Sequence, residues 1–475
     1  MSAHHHPHRW RLLVVLCLAQ FMLIADVTVI NVALPTVGEE LSLSAGAMTW
    51  VVTAYTLFFG SLLLLGGRLA DAVGKLRIFL AGLALFTAAS IAAGLATGGG
   101  MLIAARSAQG VGAALLSPAA MALVVSLFHG PDRNRALGTW AAVGGAGSAV
   151  GVLLGGVFVA GPGWEWVFFI NVPVGVLVLF AVPFLLGDAR ARTGAPAAPS
   201  RLDLPGALTL TAAPAFLIYG LVQARDHGFG DVSAWLPLAL ALLAGAGFVA
   251  VERAAAEPLV RLELLVRRSL VTGSLIMLAA SGLLISAFFL TSFYLQHVLG
   301  YGALGTGLAF LPVAVAVTAG AHLGSRAVQT LGWRPVGAGG FALAAVGAWL
   351  LTGLSPDSGV WSGLVPGFTL LSLGLGPAFV CATTAAMNRL PHHDTGLASG
   401  LVNTAHELGA SLGVAVLATL VGAGLEGGGA APVGAGGFDD AFTACALIAA
   451  VAALAAAFLL PPGRPDPAHG PAFAH

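Results

Sequence analysis

Charged residues are scarce in this chain of 475 residues. Only 8% of the residues are Asp, Glu, Lys or Arg, and Lys75 is the only lysine. Ordinary globular proteins carry about 25% charged and roughly 45–50% apolar residues, whereas 58% of this chain is hydrophobic. So apolar a composition predicts a protein that exposes much of its surface to lipid. The formal net charge is zero, which disfavours a nucleic-acid partner.

Several motifs that would indicate an enzyme or a metalloprotein are missing. There is no G-x-x-x-x-G-K-[ST] sequence, which excludes a P-loop as the energy source. No HExxH or paired-histidine metal spacing lies within the apolar segments, so a membrane enzyme or receptor is disfavoured. The three cysteines, at 17, 381 and 445, have no paired spacing and are expected to fill the core. We expect no metal site and no cofactor.

The N-terminus is basic but carries no cleavage site of the A-x-A type, so no removable signal peptide is predicted. Its histidines, at 4, 5, 6 and 8, either form a floppy tail or bind a metal ion.

Apolar segments long enough to cross a bilayer dominate the rest. A membrane helix needs about 20 residues, and that window predicts fourteen spans in an all-α membrane protein. They lie near 12–33, 48–66, 78–97, 101–128, 136–160, 166–187, 205–222, 233–251, 270–295, 303–325, 335–354, 360–385, 396–424 and 438–461.

The distribution of basic residues supports this count. With the N-terminus in the cytoplasm, eighteen of the twenty Lys and Arg residues fall on the cytoplasmic side. One missing span would invert every later loop and destroy this bias. We therefore expect a multi-pass protein of the cytoplasmic (inner) membrane with both termini in the cytoplasm.

An internal repeat suggests how the spans are organised. At an offset of 258 residues, Arg68–Lys75 aligns with Arg326–Trp333, and Gly151 and Gly155 align with Gly409 and Gly413. A six-span unit used twice, with two spans inserted between the copies, is a transporter architecture. Chance similarity between glycine-rich segments is the alternative. The predicted domains are a six-helix bundle over 1–187, a linker with two inserted helices over 188–268, and a second bundle over 269–475.

The stretch GGRLADAVGKLR, residues 66–77, concentrates charge between two of the spans. Its three basic residues obey the positive-inside rule, which by itself accounts for them. That rule leaves Asp71 unexplained. A carboxylate here can pair with the neighbouring cations or with a helix N-terminus of the other bundle, and so hold the cytoplasmic side shut.

Ionisable groups inside the spans are costly and mark candidate functional sites. Asp26 lies about 15 residues past Arg11, roughly 22 Å along a helix, and Glu407 lies near the middle of its span. Each carboxylate is either a structural polar contact or a protonation site. At a protonation site, binding of a cationic substrate favours the ionised carboxylate, so a proton is exchanged for substrate. Arg106 pairs with one of these acids or extends to the outer surface.

Two further groups of residues complete the candidate site. Polar side chains within the spans are expected to line a substrate cavity: Asn31, Gln109, Asn403 and His406. Pro118 and Asn171 are expected to shape or line the same cavity. Small residues spaced for close helix packing recur in the fifth span: Gly147, Gly151, Gly155 and Gly156.

These motifs together resemble the major facilitator superfamily, and specifically its fourteen-span drug–proton antiporter branch. The stretch 66–77 is similar to that superfamily's loop motif between spans 2 and 3. DVTVINVALP (26–35), RSAQGVG (106–112), GWEWVFFINVPVG (163–175) and GLVNTAHELGASLG (400–413) resemble other motifs of the branch. The resemblance implies that Arg106 pairs with an embedded acid and helps to relay protons, so Arg106 joins Asp26 and Glu407 as the expected proton-coupling residues. It also implies a cytoplasmic gate, built from Gly67, Arg68, Asp71, Gly74, Lys75 and Arg77.

Three departures from the family pattern are present. The antiporter motif of the fifth span normally carries a proline where this chain has Val152, so export is less strongly indicated than the other motifs suggest. Glu165, His406 and Glu407 stand where arginine or an Arg-Gln-like pair is common, which adds acidic and titratable character.

The expected function is therefore proton-driven export of amphipathic or cationic organic compounds, including drugs and antibiotics, by a monomer. A narrow exporter of one metabolite, such as a self-made antibiotic, is the alternative. A proton-coupled symporter is a weaker one.

Overall fold

The structure is a computed structural model in which helices make up all the regular secondary structure of the described residues. It describes residues 9–128, 131–186, 203–228, 230–260, 262–265, 267–354, 359–388, 395–423 and 435–464. The first part contains α1 (Arg9–Glu40), α2 (Ala45–Val73), α3 (Lys75–Gly94), α4 (Gly99–Leu127), α5 (Pro131–Ala160), α6 (Trp166–Phe169) and α7 (Asn171–Leu186). The inserted segment contains α8 (Leu204–His227), α9 (Val232–Ala254) and α10 (Leu262–Leu265).

The last part contains α11 (Arg268–Phe293), α12 (Ala303–Leu331), α13 (Trp333–Leu350), α14 (Val365–Ala386), α15 (Thr395–Ala423) and α16 (Ala435–Leu459). Two π-helical turns extend these helices, Tyr294–Val298 after α11 and Val360–Leu364 before α14.

Twelve helices of the described chain are long and apolar enough to span a membrane, not fourteen. The two remaining predicted spans, 136–160 and 335–354, coincide with α5 and α13. Of α5, only Ala149–Ala160 counts as an apolar helix, and a short one. Helix α13 is just 18 residues long and begins with the polar and interfacial residues WRP. The number fourteen remains a prediction.

Glycine hinges join the second and third helices of each repeat. Gly74, between α2 and α3, has a φ of 115°, and Gly332, between α12 and α13, has a φ of 89°. Both lie in the region that side chains disfavour, and they are 258 residues apart, at the offset of the sequence repeat. The two charged loops are therefore built by the same one-residue turn.

The helices pack as two groups. In the first, α4 packs against α2 and α3, and α1 packs against α5 and α7. In the second, α14 packs against α12 and α13, and α11 packs against α15. The inserted helices α8 and α9 pack against each other, and α8 also touches α2 and α15, one helix from each group.

Between the groups, α2 packs against α15, α5 against α12, and α1 against α11. Several of these contacts lie at the face where α1 ends and α12 begins, which we call the distal face. The side where α1 begins we call the terminal face. At the distal face, the Gln296 amide donates to the Val32 carbonyl at 2.9 Å. A Cβ atom at Gly156 would lie 2.8 Å from the Ala303 carbonyl oxygen, so the α5 and α12 backbones nearly touch.

Candidate functional site

A buried polar network surrounds Asp26 in the middle of the first helix group. Asp26 is 2% exposed, and one of its carboxylate oxygens forms an ion pair with Arg106 of α4. The other oxygen accepts hydrogen bonds from the Asn171 amide at 2.8 Å and the Gln109 amide at 3.2 Å. The structure therefore joins three helices, α1, α4 and α7, at a single carboxylate.

Arg106 is held from several sides and is 1% exposed. Its Nε donates to the Val51 carbonyl at 3.1 Å, and its Nη1 also donates to Gln109 Oε1 at 2.9 Å. The guanidinium carbon lies 4.4 Å from the centre of the Tyr55 ring, a cation–π distance. A buried ion pair is stable only when such additional partners satisfy both charges. Arg106 therefore faces the bundle interior and does not extend to the surface.

Small residues let the helices approach closely enough to form this network. A Cβ atom at Gly110 would lie 2.5 Å from the Tyr55 carbonyl oxygen, so α4 rests directly on α2. A Cβ atom at Gly151 would meet the Thr28 hydroxyl and the Ala25 carbonyl, so α5 rests on α1 beside Asp26.

The other predicted packing glycines have similar surroundings. Gly147 contacts Ile24 of α1, and Gly155 lies against the Val29 carbonyl, 2.8 Å from its ideal Cβ position. Gly156 faces the opposite way, toward α12. The glycines of α5 therefore serve two seams, one within a helix group and one between groups.

Glu407 lies on α15 at the seam with α2, in a different environment. Its side chain is 13% exposed, and its described hydrogen-bond partner is His406 Nδ1 at 3.2 Å. The His406 side chain is 38% exposed, and its ring lies 5.9 Å from that of Phe379. A Cβ atom at Gly60 of α2 would lie 2.6 Å from Glu407 Cβ. Glu407 therefore sits where the two groups meet, and it is more accessible than Asp26.

The four residues predicted to line a cavity fall in three environments. His406 is partly exposed and Asn403 is exposed on α15. Gln109 is instead fully buried in the Asp26 network, where it also donates to Ser90 Oγ at 2.8 Å. Asn31 is buried, and its amide donates to the Val27 carbonyl of its own helix at 2.8 Å.

The predicted gate stretch lies at the terminal face. Arg68 donates to the Pro258 carbonyl, in the segment that follows the inserted helices. Asp71 is exposed and has no ion-pair or hydrogen-bond partner in the described chain. Gly67, Lys75 and Arg77 are partly or fully exposed there.

Two members of the buried site, Tyr55 and Ser90, escaped the sequence-based prediction. Asn171 was expected to shape or line the cavity, and it lies instead in the buried network as a donor to Asp26. Tyr55 did carry a signal: it is one of only four tyrosines and lies in mid-span, away from the interfaces that tyrosine favours. Ser90 had no signal, because an isolated serine in an apolar helix is common.

No group of three or more His, Cys, Asp or Glu side chains within the described ranges is arranged to hold a metal ion. The N-terminal histidines 4, 5, 6 and 8 lie outside those ranges.

The family model described as Major Facilitator Superfamily matches residues 16–414. The chain is 41% identical to the cephamycin export protein CmcT of Amycolatopsis lactamdurans, over 87% of this chain and 85% of that one. It is 38% identical to the puromycin resistance protein pur8 of Streptomyces alboniger, over 87% and 82%.

The fold is similar to the crystal structure of a bacterial homolog of the human lysosomal transporter Spinster, in an inward-facing and occupied conformation. The TM-score is 0.67, with 16% identity, over 95% of this chain and 96% of that one.

Proposed function

Because the chain belongs to the major facilitator superfamily, and is thus a multi-pass membrane transporter and not an enzyme, we propose that it is a proton-coupled antiporter. In this proposal it exports amphipathic or cationic organic compounds, antibiotics among them, across the cytoplasmic membrane. The proton gradient supplies the energy. The relatives named for antibiotic export and resistance support this substrate class.

One observation carries the proposal: two embedded carboxylates lie on opposite helix groups and differ in access. Asp26 is sealed and paired with a cation, whereas Glu407 is partly exposed at the seam between the groups. A carboxylate among accessible polar side chains suits a cationic substrate. A sealed carboxylate suits a proton, which is small enough to reach it.

Protonation of Asp26 removes the charge that neutralises Arg106. Arg106 keeps its bonds to Val51 and Gln109, but the tie between α1 and α4 weakens. At Glu407, a bound cation favours the ionised carboxylate and so expels a proton. At each site the binding free energy therefore differs between the protonated and the ionised carboxylate. Coupled transport requires such a difference.

The described contacts between groups at the distal face fit alternating access. Together with termini in the cytoplasm, as the basic residues predict, these contacts support a state in which the outer side is closed. Asp71, exposed in this state, would then act as a latch only when the terminal face closes. The packing also fits the proposed division into bundles over 1–187 and 269–475 with an inserted unit over 188–268.

The test uses purified protein in liposomes that contain a pH-sensitive dye. Adding tetraphenylphosphonium, puromycin or a cephamycin outside drives exchange, and antiport makes the lumen more alkaline while symport makes it more acidic. Asp26→Asn and Glu407→Gln should each abolish the alkaline change. Asp231→Asn and Glu263→Gln, the same substitutions at exposed positions, should leave it intact. An acidic change, or none with any compound, would contradict antiport.

A second candidate is export of one compound only, as the relatives named for cephamycin and puromycin suggest. In that case a single member of the panel produces the pH change. A response to several unrelated compounds would instead establish broad specificity.

A further inference from the structure

Two carboxyl groups converge at the terminal face, away from the network around Asp26. Asp203 caps the N-terminus of α8, and Glu252 lies in the last turn of α9; they are 8% and 2% exposed. Asp203 Oδ2 and Glu252 Oε1 lie 2.5 Å and 2.8 Å from one common point, the ideal Cβ position of Gly206. The two side chains are within hydrogen-bonding contact of each other.

Three of the four oxygens in this pair accept backbone N–H groups. Asp203 accepts from Gly206 at 2.8 Å and from Leu259 at 3.4 Å, and Glu252 Oε2 accepts from Val260 at 3.0 Å. The fourth oxygen, Glu252 Oε1, is buried and has no hydrogen-bond donor among the described residues. It faces Asp203 Oδ2, which is also an acceptor, so a proton between the two oxygens would satisfy both.

The surroundings supply too little positive charge for two ionised carboxylates. Asp203 and the Arg68 guanidinium of α2 are the charged groups of the described chain that act on Glu252. Arg68 offsets one negative charge at most, and its described hydrogen bond goes to the Pro258 carbonyl. Three charged neighbours along the chain are exposed to solvent: Arg253, Glu257 and Glu263. Like charges this close inside a protein do not both ionise, so one carboxyl group keeps a proton.

A metal cation is a poor substitute for this proton. Three of the four oxygens are already occupied by N–H donors. Calcium, by contrast, takes about six to eight oxygen ligands. The geometry therefore favours a proton as the ligand of this pair.

The segment Pro258–Val260, which we call the strap, connects the pair to the predicted gate. Its last two residues donate to the two carboxyl groups and are 1% and 2% exposed. Leucine side chains of α2 and α15, one helix from each group, cover them. Its first residue accepts the hydrogen bond from Arg68. Two negative charges beneath the strap would repel each other and loosen all of these contacts.

We propose that Asp203 and Glu252 form a proton-binding site that controls the strap, and through it the position of Arg68. While the pair holds one proton, the strap is fixed and Arg68 is tied to it. When the pH at the terminal face rises, the proton passes to solvent and both groups are ionised. Their repulsion pushes the start of α8 from the end of α9, which releases the strap. This site is separate from Asp26 and Glu407, and it does not depend on proton-coupled transport.

The decisive variant is Glu252→Gln, whose amide donates to Asp203 and whose carbonyl accepts from Val260, as the protonated acid does. Hydrogen exchange of the peptide that contains the strap is followed by mass spectrometry over a range of pH, on the full chain in lipid nanodiscs. The ratio of the wild-type rate to the Glu252→Gln rate cancels the intrinsic pH dependence of exchange. We expect a ratio near one at acidic pH, rising by up to about tenfold per pH unit once the single proton is lost.

Two further variants test the assignment. Glu263→Gln, the same substitution at an exposed position of α10, should follow wild type at every pH. Arg68→Ala removes the tie to Pro258 and should speed exchange of the strap. A ratio that stays flat with pH, or a Glu263→Gln profile that matches Glu252→Gln, would overturn the proposal. Unchanged exchange in Arg68→Ala would refute the link to the gate.

A second measurement detects the proton itself. The infrared difference spectrum of wild type minus Glu252→Gln should contain the carbonyl stretch of a buried, protonated carboxyl group, and this band should vanish at alkaline pH. Asp203→Asn serves as the reference if Glu252→Gln folds poorly, because the remaining carboxylate then has no like charge beside it. A missing band would overturn the proposal. Strap exchange that responds to sodium or calcium ions and not to pH would overturn it as well.

Discussion

Removing the charge of Asp26 should destabilise the protein more than removing that of Arg106, although the two form one ion pair. Asp26→Asn leaves a guanidinium that is 1% exposed and cannot lose its proton. Breaking a buried pair in this way costs about 3–5 kcal/mol. Arg106→Gln leaves a carboxylate that can bind a proton and keeps the Asn171 and Gln109 donors. Its cost should be that of lost hydrogen bonds, about 1–3 kcal/mol.

The double variant Asp26→Asn with Arg106→Gln contains no buried charge at this site. Its free energy of unfolding should exceed that of Asp26→Asn alone, with a coupling of about 2 kcal/mol, within the range for directly contacting residues. The assay is equilibrium unfolding of the detergent-solubilised protein by titration with a denaturing detergent.

The control for this cycle is the ion pair at the terminal face between Arg9 and Asp132, 2.6 Å long and with partly exposed side chains. Asp132→Asn should cost at most about 1 kcal/mol. Additive costs for Asp26 and Arg106, or a larger cost for Arg106→Gln than for Asp26→Asn, would refute the reasoning.

Three further predictions follow from close helix contacts and from one buried hydrogen bond. Gly110→Ala places a methyl group 2.5 Å from a carbonyl oxygen of α2, about 0.9 Å closer than ordinary contact. Transport should fall several-fold, and the free energy of unfolding should fall by about 1–3 kcal/mol. Gly151→Leu should act similarly by displacing α1, whereas Gly339→Leu, where nothing lies within 4 Å of the added Cβ, should be silent in both assays. Glu252→Met removes the acceptor of the Val260 amide at 3.0 Å and should cost about 1–3 kcal/mol, with faster proteolysis of the loop after α9.

Each of these outcomes has a clear contradiction. Normal transport in the Gly110 variant would mean that α4 and α2 are less tightly apposed than the structure indicates. Equal effects of the two leucine substitutions would show that added bulk, and not its position, causes the loss. An unchanged rate of proteolysis of this loop in the Glu252→Met variant would mean that the carboxylate does not hold the segment after α9.

Composition and periodicity were sufficient to predict an all-helical membrane protein. A chain this hydrophobic places its apolar side chains in lipid, and helices satisfy the backbone hydrogen bonds that lipid cannot. The bounds of most helices could also be predicted, since charged and glycine-containing loops interrupt the apolar runs. Asp26, Glu407 and Arg106 were identifiable as candidates because a charge within a span is rare and costly. The span count was harder, because a helix of 18 residues that begins with polar residues falls near the threshold.

Only the tertiary structure decided which of these residues meet. No periodicity reveals that Asp26 pairs with Arg106, 80 residues away, while Glu407 pairs with neither. Gln109 illustrates the same point: its polarity suggested a cavity wall, but the close approach of α4 to α1 places it inside the ion-pair network. The sequence by itself determined which chemical groups the membrane must accommodate, because the cost of burying a charge is a property of the residue. Their pairing depends on helix contacts across long stretches of chain, and so only the packed structure could determine it.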